Sequence, residues 1–105
     1  MKRGELWWAD LPAPSGRRPV VLLMRDGVYD YLTHVTIAPI TGRIRKIFSH
    51  VLVGPDDGLP RLSEVNLDSV STIDKSLLKS RIGQLGPERM REVDEALRFA
   101  LGLDD

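Results

Sequence analysis

The sequence predicts a mainly β protein, a small antiparallel barrel with one C-terminal helix. Short apolar and β-branched runs recur along the first three quarters of the chain, each bounded by turn residues. After Gly86-Pro87 the apolar period lengthens from that of strands to that of a helix. Nowhere do strands alternate with helical segments in the way that builds parallel sheets. At 105 residues the chain is expected to form one domain, residues 1–105, able to bury its own core.

Taken in order, Glu5 to Ala9 reads as an aromatic first strand, ended by the Pro-, Ser- and Gly-containing stretch Asp10 to Gly16. Pro19 to Met24 is a continuous apolar run, short enough for a strand buried on both faces. Asp26-Gly27 marks a turn, and Tyr31 to Ile40 is a longer strand rich in β-branched residues. Phe48 to Val53 is a further strand, stopped by Gly54-Pro55-Asp56-Asp57-Gly58. Val65 to Ile73 alternates as one half-buried strand with a bend, Asp74-Lys75-Ser76 is a site for a capped helical turn, and Ser80 to Leu85 is a last short strand. In the final segment Pro87 opens a helix and Glu88 complements its dipole. Met90, Val93, Leu97, Ala100 and Leu101 form its apolar stripe, Asp94 and Arg98 are spaced to pair, and Gly102 is the stop.

Composition excludes several chemistries. There is no cysteine, so disulfides, thiolate metal sites and a cysteine nucleophile are absent, and a reducing compartment fits. No apolar stretch approaches the roughly 20 residues needed to span a bilayer. The basic start Met1-Lys2-Arg3 is not followed by a signal-type apolar block, so no membrane association and a cytoplasmic location are expected. Formal net charge is zero, yet residues 1–50 carry a balance of +4 and residues 51–105 one of −4, which permits a polyanion-binding face. The two histidines, His34 and His50, fall on separate strands and form no dyad: His34 reads as an edge histidine and His50 as a surface one. No metal-ligand spacing, phosphate-cradling glycine loop or Gly-x-Ser-x-Gly elbow occurs, so no metal and no cofactor are expected.

The residues left to carry chemistry are arginines and a threonine. Arg17-Arg18-Pro19 precedes the second strand, where the proline restricts Arg18 to an extended conformation. Thr41 ends the run Val35 to Ile40, just before Gly42 and the basic residues Arg43, Arg45 and Lys46. A permanent guanidinium and a hydroxyl at the ends of core strands suit phosphate handling; a surface arginine and a turn threonine are the ordinary alternative. Trp7, Trp8, Tyr29, Tyr31 and Phe48 offer surfaces on which unpaired bases stack, although one of the adjacent tryptophans should face the core. On residues alone, the reading ends at a small β-barrel suited to a phosphodiester polymer.

Read as a whole, the chain resembles the MazF/PemK family of toxin endoribonucleases. The matching pieces are Arg3-Gly4-Glu5-Leu6-Trp7, Arg18-Pro19-Val20-Val21, Ala38-Pro39-Ile40-Thr41, Val65-Asn66-Leu67-Asp68, Thr72-Ile73-Asp74-Lys75 and Glu92-Val93-Asp94-Glu95-Ala96-Leu97, in family order. The resemblance implies an SH3-like barrel of the MazF/CcdB-like toxin fold, acting as a homodimer. It implies metal-independent, sequence-selective cleavage of single-stranded RNA, leaving a 2′,3′-cyclic phosphate and a 5′-hydroxyl. The family's catalytic arginine and threonine fall on Arg18 and Thr41. Arg17, Arg43, Arg45, Lys46 and Ser69 are then expected RNA contacts. The implied partner is a MazE-like antitoxin whose acidic tail lies across the RNA groove.

Two departures stand out. Where relatives carry a longer first loop with Ser-Glu-Gln-Gly-Gly, only Ser15-Gly16-Arg17 is present, so an acidic or amide contribution from that loop is missing. Where relatives often have Gln and Arg, this chain has Ser69-Val70-Ser71, and a different cleavage preference is expected. Two other classes remain as alternatives: a non-catalytic nucleic-acid-binding barrel, and a toxin that binds a protein target. The acidic, tryptophan-free end Leu101 to Asp105 speaks against the second.

Overall fold

The computed structural model describes residues 1–103. Asp104 and Asp105, part of the acidic end read from the sequence, lie outside the described residues. Seven strands run in chain order: β1 Glu5–Leu11, β2 Gly16–Leu22, β3 His34–Thr41, β4 His50–Val53, β5 Ser63–Asn66, β6 Ser71–Asp74 and β7 Leu78–Gln84. One helix, α1 Pro87–Leu101, follows. All pairings are antiparallel, in the order β4-β5-β3-β2-β1-β7, with β6 also paired to β3. Among the described residues β4 and β7 are edges, so the expected barrel is an open, strongly bent sheet.

The bend lies on β3. Its first half, His34 to Ile37, pairs with β6, and its end, Ile40 and Thr41, pairs with β5. The single strand expected from Val65 to Ile73 is therefore two strands separated by a 3₁₀ turn, Leu67–Ser69. Asn66 breaks it: its side-chain oxygen accepts from the Asp68 N–H at 2.9 Å, a local bond that competes with the ladder. Leu67, 1% exposed, anchors the turn in the core. A one-residue alternation pattern does not reveal such a break, because the apolar residues on either side keep their spacing.

Strand β2 begins earlier than the apolar run predicts and contains Arg17 and Arg18. Val20, Val21 and Leu22 are fully buried, as a strand covered on both faces requires. The first loop is a tight turn: Leu11 already pairs with Gly16, and the Ser15 N–H donates to the Pro12 carbonyl at 3.1 Å. Strand β3 starts at His34, leaving Tyr31 in a turn and 75% exposed. Asp74 caps the turn Lys75–Leu77 as expected, its carboxylate accepting from the Ser76 N–H at 2.9 Å.

Helix α1 lies over one core cluster that includes Leu6, Val21, Ile40, Val65, Leu67 and Leu85. Val93 and Ala96 are buried in it, with Met90, Leu97 and Ala100 packed alongside. Ala96 joins the expected stripe. Leu101 leaves it, 58% exposed, because the last turn runs past the core. Asp94 accepts from Arg3 at 2.7 Å, tying the N-terminus to the helix. Gly102 ends the helix in the left-handed conformation, φ 67°. A second cluster, with Ala9, Val20, Leu22, Tyr29, Val35 and Ile37, fills the other side of the sheet. Tyr29, expected as a stacking surface, is core instead: its hydroxyl donates to the Met24 carbonyl at 2.6 Å, and burial, with Asp26 nearby, pushes its pKa up to about 12.

Candidate functional site

Antiparallel register brings the arginine and the threonine together. Val20 faces Pro39 and Val21 faces Ala38. Running that register on past Val20 sets Arg18 level with Thr41, and opposed positions of an antiparallel pair present side chains to the same face. Both side chains line a cleft of about 570 Å³ at this end of the sheet. Arg17 and Arg43 line it too, with Trp8, Pro19, Gly42 and Arg61 around them. The Thr41 hydroxyl oxygen accepts from the Arg43 N–H at 3.2 Å. Arg17 lies over the Trp8 ring, 5.1 Å from its centroid, and 4.0 Å from Asp10. Trp7, on the opposite side of β1, packs against the second core cluster, as adjacent strand residues should.

Arg61 is a cleft residue that sequence reasoning missed. The Ser63 hydroxyl donates to its backbone carbonyl at 3.1 Å. Its guanidinium rests against Gly42, where an added Cβ would meet Nη2 at 2.8 Å. Gly42 is thus explained by a close approach from a residue nineteen positions on, and a lone arginine after Leu59-Pro60 carried no signal of it. Among the described residues, Arg18, Arg43 and Arg61 have no carboxylate within 4.0 Å. Among the described residues no histidine, aspartate or glutamate lines the cleft. The arrangement can bind a polyanion and stabilise added negative charge, but it offers no side chain of the usual kind to remove a proton.

The remaining sequence candidates lie elsewhere. Arg45 and Lys46 sit on the exposed loop after β3, outside the cleft lining. Ser69 is exposed on the 3₁₀ turn, with its hydroxyl accepting from the Asn66 amide at 3.1 Å. Tyr31 does not line the cleft either, and the exposed Phe48 makes an edge-on contact with Phe99, centroids 5.8 Å apart. His34 is exposed and beside the Thr33 hydroxyl, as an edge histidine.

His50 is a correction. Expected at the surface, its side chain is 3% exposed and its Nδ1 lies 2.9 Å from a carboxylate oxygen of Glu64. Glu64, 2% exposed, also accepts from the Arg45 N–H at 2.9 Å and the Lys46 N–H at 3.0 Å. Burial pushes the Glu64 carboxyl up, but the Arg45 N–H, His50 and the Lys46 N–H outweigh it and hold the group below its ordinary value. Sequence alternation cannot expose such a pair, since its partners are fourteen or more residues apart.

Residues 2–101 match the family described as PemK-like, MazF-like toxin of type II toxin–antitoxin systems. The chain is 44% identical over 100 residues to the probable endoribonuclease MazF5 of Mycobacterium tuberculosis, covering 94% of this chain and 91% of the relative. The solved Mycobacterium tuberculosis toxin MazF-mt6 superposes with a TM-score of 0.89 at 35% identity, covering 96% of this chain and 99% of that one. A mycobacterial endoribonuclease in complex with its cognate antitoxin gives a TM-score of 0.88 at 28% identity, over 100% of this chain and 98% of that one. This chain belongs to the PemK-like, MazF-like family of toxins of type II toxin–antitoxin systems.

Proposed function

We propose that this endoribonuclease toxin cuts single-stranded RNA in the cleft between β2 and β3, with Arg18 and Thr41 as its catalytic residues. One observation carries the assignment: a threonine hydroxyl and guanidinium groups without carboxylate partners line one cleft of about 570 Å³. Uncancelled guanidinium charge there attracts a phosphodiester and stabilises negative charge developing on its oxygens. The ribose 2′-oxygen attacks the adjacent phosphorus, the bond to the 5′-oxygen breaks, and a 2′,3′-cyclic phosphate and a 5′-hydroxyl remain. A guanidinium is a permanent cation with donors only, so Arg18 serves to bind the phosphoryl oxygens rather than to accept the proton. Thr41 orients the phosphate or the 2′-hydroxyl through its hydroxyl group. Solvent takes the 2′-hydroxyl proton and returns one to the leaving 5′-oxygen, since among the described residues no carboxylate or imidazole lines the cleft.

Arg17, Arg43 and Arg61 hold phosphates beside the scissile one, and the Trp8 face stacks a base. Arg45 and Lys46 extend the basic track along the loop after β3, and the contact proposed for Ser69 is carried by the family resemblance alone. The cognate antitoxin is an acidic segment that competes with RNA for the same uncancelled charge. The active species is a homodimer in the cytoplasm. Exposed Ile47, Phe48, Leu52 and Phe99 beside an apolar groove of about 420 Å³ support the dimer. Among the described residues no helix is long and apolar enough to cross a membrane.

The test is to incubate the antitoxin-free protein with a long mixed-sequence single-stranded RNA in chelator and map the ends. Cuts at a short recurrent motif with 5′-hydroxyl ends, lost in a folded Arg18→Ala variant, are expected. A folded wild-type dimer that leaves the RNA intact would overturn the function.

A further inference from the structure

The loop Gly42–Phe48 carries three basic residues, Arg43, Arg45 and Lys46, is exposed at every residue and has no regular secondary structure. Such a segment has little of its own to hold one conformation. Both its ends nevertheless converge on one residue, Glu64, whose side chain is buried. Thr41, where the loop leaves β3, lies opposite Glu64 in the β3–β5 ladder. His50, where it enters β4, lies 2.9 Å from the Glu64 carboxylate through Nδ1. Between them, Arg45 and Lys46 donate their backbone N–H groups to the two carboxylate oxygens. Lys46 is held at a positive φ of 55°, unusual for a residue with a side chain, and the adjacent clamp offsets that strain. At its near end the loop returns to the catalytic hydroxyl, through the Arg43 N–H.

Burying a carboxylate is costly unless it is fully bonded, and an apolar side chain at this strand position would avoid that cost. The charge is used to order a loop whose aromatic contact, Phe48 against Phe99, lies at the end away from Thr41. We propose that Glu64 is a positioning residue for RNA cleavage: its buried carboxylate clamps the loop after β3 and so keeps Thr41 and Arg43 in place on the cleft. This role rests on the cleft being the cleavage site.

The first variant is Glu64→Gln, which keeps the shape but turns one acceptor into a donor facing a backbone N–H. Cleavage of a single-stranded RNA is measured at saturating substrate, well below melting, where a loss of stability alone leaves kcat unmoved. Amide hydrogen exchange is read in parallel across residues 43–48 and across β3. The expected result is a kcat at least about tenfold lower, with loop amides exchanging at least about tenfold faster and β3 amides still slow. Should Glu64→Gln not fold, Arg45→Pro against Arg45→Ala decides. Both remove the same guanidinium from an exposed site, but only proline removes the N–H that Glu64 accepts. Arg45→Pro is expected to be at least about tenfold slower than Arg45→Ala. Loosened loop amides with kcat within twofold of the reference overturn the proposal, as does lost cleavage with loop amides protected as in wild type. A folded wild type that cuts no RNA overturns instead the reading of the cleft, and this role for Glu64 with it, whatever the exchange shows.

Discussion

Arg89 and Arg91 on helix α1 and Arg18, Arg43 and Arg61 around the cleft meet opposite treatment. Arg91 donates to Glu88 and Glu95, three and four residues away, and Arg89 lies between Asp57 and Glu92. Around the cleft Arg18, Arg43 and Arg61 have no such neighbour among the described residues. The same side chain thus supports an element in one place and leaves a positive potential open in the other. Net charge, zero for this protein, hides the difference. What distinguishes the two regions is whether the fold supplies a carboxylate.

The sharpest break in this comparison is Arg18→Ala. Removing a donor aimed at developing charge typically costs 10²- to 10³-fold in kcat, so single-turnover cleavage should fall by about that factor with melting temperature unchanged. A fall below tenfold would remove Arg18 from the chemistry. Thr41→Ala should slow cleavage by about 10²-fold, and binding to a 2′-deoxy, uncleavable RNA by much less. Parallel losses would make Thr41 a contact rather than a catalytic group.

Arg61→Ala tests whether the uncancelled charge of a residue outside the resemblance is used. Losing one phosphate contact on a single strand lowers the slope of log affinity against log salt by about 0.7, which a salt titration measures. Gly42→Ala should do the same more weakly. Its new methyl displaces only the flexible end of Arg61, so affinity falls while thermal stability holds. An unchanged affinity in both would leave Arg61 as surface.

Glu64 gives a pH test. Its folded carboxyl is depressed, so the stabilisation from its bonds is fully present above the unfolded glutamate value of about 4.3 and is lost as pH falls through the folded value. Wild type should therefore melt higher than Glu64→Gln near neutrality, and the gap should close on acidification. A gap independent of pH would show that the clamp does not depend on ionisation. The smallest effect belongs to the helix. Arg91→Ala should leave cleavage unchanged and lower the melting temperature slightly, less so at high salt.

Local chemistry was legible wherever a residue's neighbours in sequence are its neighbours in space. Asp74 capping Ser76, Pro87 opening α1, Gly102 closing it and Thr41 ending β3 follow from interactions within a few residues. Reading Arg18 and Thr41 as candidates also needed only their place at the ends of apolar runs. Asp94, read from the sequence only as a partner within the helix, accepts from Arg3, ninety-one residues away. His50 was read as surface because its partner comes from another strand.

By itself, then, the sequence determined a β-rich fold with a terminal helix and named the arginine and threonine as the groups able to handle a phosphate. Period, turn residues and side-chain chemistry are properties of short segments, so they survive without coordinates. Only the tertiary structure decided that β3 turns a corner with β5 and β6, that Arg18 comes level with Thr41, and that Arg61 and Glu64 belong to their surroundings. Those are matters of register and close approach between distant segments. They are settled by burial of the whole core at once, which no short window of sequence contains.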